Sequence, residues 1–114
     1  EAFLRQLPEM AGLPASRIAL VVDGVRPELY DEHSLRAVVD DYFPIMRAHL
    51  MDRARLGGFE VLDMQPALIA DYGRRRLKFE FSDDNHWNGT GHEVFAGVVQ
   101  RSRVYRHTFG PVHP

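Results

Sequence analysis

An α/β fold built on a small parallel sheet is predicted by three features of this sequence. Two short runs, Arg17 to Gly24 and Phe59 to Met64, are apolar and rich in β-branched residues, as buried strands are. Helical spacings of apolar residues lie before, between and after them. The links are short and carry glycine, proline and aspartate. Strands alternating with helices across short links imply parallel pairing, and a continuously apolar strand suits burial on both faces.

Ala2 to Met10 has Phe3, Leu4, Leu7 and Met10 at helical spacing, with Pro8 expected to shorten or kink the helix. Gly12, Pro14 and Ser16 form the break. The first strand closes at Asp23-Gly24, its carboxyl end, where open α/β sheets place their ligand loops. From Val25 to Asp40, Pro27 and Asp31-Glu32-His33-Ser34 suggest a loop followed by a helical turn through Leu35 and Val39. Asp40 and Asp41 read as a helix start, with Pro44 tolerated in the first turn. Met46, Leu50, Met51 and Ala54 continue that helix to Gly57-Gly58. A helix from Pro66 to Arg74 follows the second strand, with Leu68, Ile69 and Tyr72 buried. Leu77 to Phe81 alternates and reads as a short extended piece. A last helix runs to about Ser102, with Val94, Phe95, Val98 and Val99 facing the sheet. Thr90 with Glu93 fits a capping box, and Asn88 is a rival cap. Arg103 to Pro114 reads as a polar tail, poorly ordered at its end. Two or three strands make a very small sheet, so the chain reads as part of a larger sheet or as one that completes itself by association.

At 114 residues the chain is one domain at most, and its composition, 45% hydrophobic and 26% charged, is that of an ordinary globular protein. A net charge of -2 offers no general attraction to nucleic acid or anionic membrane. No apolar run approaches the length of a membrane span, and no signal peptide is visible. The chain begins at Glu1 rather than Met, which suggests that a leader or an N-terminal region has been removed. The absence of cysteine excludes disulfides and thiolate metal sites. It leaves the compartment open, an extracytoplasmic one included.

The chemically informative stretch is Asp83-Asp84-Asn85-His86-Trp87-Asn88-Gly89-Thr90-Gly91-His92. It reads as a short loop feeding the last helix. A carboxylate two or three residues before His86 can accept a hydrogen bond from one imidazole nitrogen and leave the other free. That is the acid and base half of a nucleophilic triad. The nucleophile half is missing: Ser16, Ser34, Ser82 and Ser102 do not sit in a nucleophile motif.

The block His86-Trp87-Asn88-x-x-Gly91-His92, preceded by an acid, resembles the last motif of the SGNH (GDSL-like) hydrolase superfamily. That motif reads Asp, one or two residues, His, commonly Pro or Trp, Asn, two residues, Gly, His. The similarity extends back through Ile18 to Gly24, Tyr30, Tyr42-Phe43, Met46-Arg47, Gly58 to Pro66 and Phe79-Glu80-Phe81. The resemblance implies a partial doubly wound, flavodoxin-like parallel sheet of two or three strands flanked by helices. Residues 1–102 would be the C-terminal part of that α/β domain and residues 103–114 a polar tail. It implies that His86 is the general base. Its acid is Asp83, at the Asp-x-x-His spacing usual in hydrolases, or Asp84. The latter gives the Asp-x-His-Trp spacing of relatives that move acetyl groups on polysaccharides, and alignment on Phe79-Glu80-Phe81 and Trp87 favours it. The family's Gly-Asp-Ser block and its oxyanion Gly and Asn have no counterpart here. The isolated chain is therefore expected to lack esterase activity.

Three functions follow as expectations. One is an SGNH-type ester hydrolase acting on an ester-bearing small molecule or acetylated carbohydrate, with the serine outside this chain. The second is a polysaccharide O-acetyltransferase of the same fold. The third is a non-catalytic α/β interaction module. Self-association or the missing N-terminal part would complete the sheet. No cofactor is expected, since His86 and His92, six apart with no third ligand, are weak metal spacing. Trp87 would line a cleft or, more often, cover the loop as an apolar lid. Asp23 and Arg26 would border the cleft or merely form the turn. Arg74-Arg75-Arg76 reads as a solvated helix end favoured by the macrodipole.

Overall fold

A computed structural model describes residues 1–26 and 28–110; Pro27 and the end of the tail, residues 111–114, lie outside the described residues. Strand β1 (Ala19–Val22) pairs in parallel with β2 (Glu60–Asp63), in the register Ala19 to Glu60 through Val22 to Asp63. Helices α1 (Ala2–Ala11), α2 (Glu32–Ala37) and α3 (Tyr42–Leu56) precede β2, and α4 (Met64–Arg75) follows it directly. A second, antiparallel pair, β3 (Glu80–Phe81) and β4 (Asp84–Trp87), leads into α5 (Gly89–Arg101) and α6 (Arg103–Phe109). The fold is therefore mixed α/β around a two-stranded parallel sheet. Among the described residues, no helix is long and apolar enough to cross a membrane.

Alternation along β1 divides the core in two. Leu20, with Ile18 and Val61, packs on Leu4, Ala54 and Phe59 from the α1 and α3 side. Val21 packs toward Leu29, Met64, Leu68 and Phe79, which Val94, Phe95 and Val98 of α5 also cover. Phe79, Met64 and Leu68 are fully buried; each contributes about 1.5–3 kcal/mol relative to exposure. The core stays small for the chain length. The radius of gyration is 15.4 Å, against about 13 Å for a compact domain of roughly 100 residues. Tyr42, Phe43 and Ile45 on α3 remain largely exposed.

Most element boundaries follow local chemistry. Asp31 caps α2 by accepting the Ser34 amide, and Asp63 caps α4 by accepting the Gln65 amide. Because Asp63 is both the last strand residue and the cap, the expected strand through Met64 ends one residue early and α4 begins before Pro66. Pro8 does not break α1: it lies in the helix, which closes on Gly12 in the left-handed conformation. Arg74 and Arg75 pair with buried Asp71, and Arg75 also reaches Glu93 on α5. These arginines are therefore partly committed to bracing two helices rather than only solvated.

Three expectations are corrected. The Asp83 to Asn88 stretch is not a plain loop, because Asp84–Trp87 pairs as β4 with β3. The cap of α5 is Asn88, whose side chain accepts the Gly91 amide; Glu93 is instead bonded to Arg75. The tail is helical over Arg103–Phe109, because Ser102 caps α6 and Glu60 accepts the Arg103 and Val104 amides.

Candidate active site

The hairpin that carries His86 is irregular in a way that bears on its chemistry. Phe81 lies opposite Asp84 and Glu80 lies opposite Trp87. One step along β3 thus matches three along β4, so Asn85 and His86 are extra residues in a bulge. A bulge bends its strand and re-aims the side chains it carries. At its edge, the Asp84 carboxylate accepts the backbone N–H of His86 at 2.7 Å and also bonds the ring at Nδ1. Those bonds, the backbone one foremost, hold the Asp84 carboxyl below its ordinary range. The ring is 86% exposed and the Asp84 side chain 46%. With Nδ1 occupied, Nε2 is the nitrogen left for a proton-transfer partner. Asp83 sits beside this pair in the exposed hairpin turn, and the carboxylate bonded to the ring is that of Asp84.

The rest of the block holds the hairpin in place. Asn88 donates to the carbonyls of Lys78 (3.0 Å) and Glu80 (2.9 Å) while capping α5, and its own amide donates to the Phe79 carbonyl at 2.8 Å. Gly91 is required by close approach. A Cβ there would stand 2.6 Å from the Phe79 carbonyl oxygen and 2.9 Å from the Trp87 Cβ. Trp87 packs inward, 5.3 Å from the Phe95 ring centroid. Its indole N–H is buried without a partner among the described residues. His92 is exposed and its ring stands nearly perpendicular to that of Trp87, at 82° with the centroids 5.9 Å apart. Among the described residues no three His, Cys, Asp or Glu side chains converge as a metal set.

Asp23 and Arg26 meet at the carboxyl end of β1. Arg26 pairs with Asp23 at 2.7 Å and reaches Glu80 of β3 at 3.4 Å. Tyr30 donates to the same Glu80 and accepts the Phe79 amide at 3.1 Å. Burial, then the Glu80 bond, pushes the Tyr30 hydroxyl up to about 12. Arg47 of α3 donates to the Asp23 carbonyl at 2.7 Å and pairs with Asp63, while Gln65 accepts the Val25 amide. This network fastens the β3–β4 hairpin and α3 to the strand ends. Asp23 and Arg26 border an open cleft there, whereas Trp87 is not on its lining.

The roles of Tyr30, Arg47, Asp63 and Glu80 in this network are not evident from sequence. Asp23 and Arg26, three apart after a strand, carry a local signal. Glu80 lies 54 positions from Arg26 and 50 from Tyr30, and its partners are chosen by the fold. No protein family, curated protein or solved structure matches this chain.

Proposed function

We propose that this chain supplies the acid and base of a serine-dependent acyl-ester hydrolase of the SGNH kind, with the serine contributed from outside these 114 residues. The observation that carries the reading is the Asp84–His86 pair: the carboxylate beside the bulge bonds Nδ1 of the exposed ring that the bulge carries. His86 then takes the proton of a serine hydroxyl through Nε2 as the oxygen attacks the ester carbonyl. The same nitrogen returns the proton to the leaving alcohol. Asp84 orients the ring and stabilises the imidazolium. The small core and a parallel sheet of only two strands agree with a partner segment completing the sheet.

Two assays test this. The chain alone should leave p-nitrophenyl acetate at the buffer rate, and robust turnover would refute the need for an outside serine. When residues 1–114 are joined to a segment bearing a Gly-Asp-Ser block, hydrolysis should appear. His86→Ala should then lower kcat/KM by roughly ten-thousand- to a million-fold. An unchanged rate in that variant would refute the role of His86.

One observation favours a second reading. The bonded acid is Asp84, which gives the Asp-x-His-Trp spacing that the resemblance associates with acetyl transfer to polysaccharides. Partition of the acyl group between water and an added sugar acceptor separates transferase from hydrolase.

A further inference from the structure

We propose that a small cleft at the amino end of β1, between the turn Ala15–Arg17 and α6, binds a phosphoryl group carried by a small soluble molecule. It lies at the opposite end of β1 from Asp23 and Arg26, and the proposal does not rest on the acid and base reading of His86. The cleft measures about 190 Å³, and Ser16, Arg17, Arg103, Val104, His107 and Thr108 line it. Sites that enclose a whole ligand run to roughly 300–1,000 Å³, so this one suits a single head group.

The fold brings these residues together from the two ends of the chain. Arg17 closes the turn that leads into β1. Glu60, paired beside Ala19 at the start of β2, accepts the Arg103 and Val104 amides at 2.7 Å each. Those two bonds seat α6 next to the turn.

The lining has one sign of charge. It carries two guanidiniums and an imidazole and no carboxylate. Arg26, Arg47, Arg74 and Arg75 are each paired with a carboxylate. Arg17 and Arg103 are exposed and make no ion pair among the described residues. The carboxylate of Glu60 is not on the lining and is occupied by the two amides.

Like charges that border one cleft repel, and an anion between them turns the interaction favourable. A carboxylate ligand would balance one guanidinium and leave the other. A phosphomonoester carries a charge of about −1.5 to −2 with three acceptor oxygens, and so matches both. Each guanidinium can give it a pair of N–H bonds. The Ser16 hydroxyl and a His107 ring N–H are further donors on the lining. The Thr108 hydroxyl already donates to the Val104 carbonyl.

The experiment is an amide-detected NMR titration of the 114-residue chain with methyl phosphate, at constant ionic strength and above the second phosphate ionisation near pH ~6. Saturable shifts should centre on Ser16, Arg17, Arg103 and His107, and inorganic phosphate should reproduce them. Acetate should bind at least roughly tenfold more weakly. Arg17→Gln and Arg103→Gln, at exposed positions on separate elements, should each weaken binding roughly ten- to a hundredfold. Arg106→Gln removes the same charge from α6 at a position off the lining, and should leave binding unchanged. His86→Ala should also leave it unchanged, so a failed acid and base reading and a failed phosphate reading are separable. Three results would each overturn the proposal. They are equal affinity for acetate and methyl phosphate, a loss in Arg106→Gln as large as in Arg103→Gln, and binding to phosphatidylcholine vesicles containing phosphatidic acid without any response to methyl phosphate.

Discussion

Substituting Gly91 isolates what the glycine of the His-Trp-Asn-x-x-Gly-His block does. Glycine inside a helix normally weakens it, so Gly→Ala should stabilise α5 by up to about 1 kcal/mol. At Gly91 the added Cβ would lie 2.6 Å from the Phe79 carbonyl oxygen and 2.9 Å from the Trp87 Cβ. Ordinary carbon–oxygen contacts are about 3.3–3.6 Å, so one side must give by roughly 0.7 Å. Neither neighbour yields easily. The Phe79 carbonyl accepts the Asn88 amide and Phe79 is fully buried. Overpacking costs about 1–3 kcal/mol, and weakening the Asn88 bond adds about 0.5–1.5 kcal/mol. Set against the helix gain, Gly91→Ala should destabilise by about 2 kcal/mol, or roughly 8 °C in Tm for a domain of this size. Gly97 is the internal control on the same helix. Its Cβ would meet only the flexible end of Arg101, at 3.3 Å. Gly97→Ala should therefore stabilise by about 0.5–1 kcal/mol. Thermal and urea unfolding followed by circular dichroism measure both variants. Equal stability of the two, or a Gly91→Ala protein firmer than the parent, would refute the close-approach argument.

Other outcomes follow from the same contacts. Asn88→Ala removes the α5 cap and two bonds to the Lys78 and Glu80 carbonyls, and urea unfolding should show a loss of about 1–3 kcal/mol. Tyr30 holds its proton more tightly folded, near 12, than unfolded, near 10.0. Its contribution is thus fully present below pH 10 and is lost as pH rises from about 10 to about 12. Two units would correspond to about 2.7 kcal/mol, and solvent screening at this partly exposed ring reduces that to about 1 kcal/mol. Tyr30→Phe should flatten that alkaline limb of the stability curve; an unchanged limb would count against a Tyr30 hydroxyl held protonated by burial and the Glu80 bond.

Strong local chemistry made much of this fold legible. The runs holding β1 and β2, the α3 stripe ending at Gly57, and Asn88 as a possible cap are all readable from neighbours in the chain. The extended piece Leu77 to Phe81 holds β3, but its partner β4 is not legible, because polar Asp84-Asn85-His86 has no alternation. The α6 helix was hidden because its support comes from Glu60, more than 40 positions away. At the candidate site, proximity in sequence singled out His86 and its two acids. The choice between Asp83 and Asp84 depends on a bulge that spacing alone does not specify.

The direct measurement is the tautomer of His86, read from a long-range proton–nitrogen NMR spectrum at a pH where the ring is neutral. A ring anchored by Asp84 should carry its proton on Nδ1 and leave Nε2 bare. Asp84→Asn should disturb that preference and Asp83→Asn should preserve it. A proton found on Nε2 in the parent chain, or the same response to both substitutions, would contradict the assignment of this pair as acid and base.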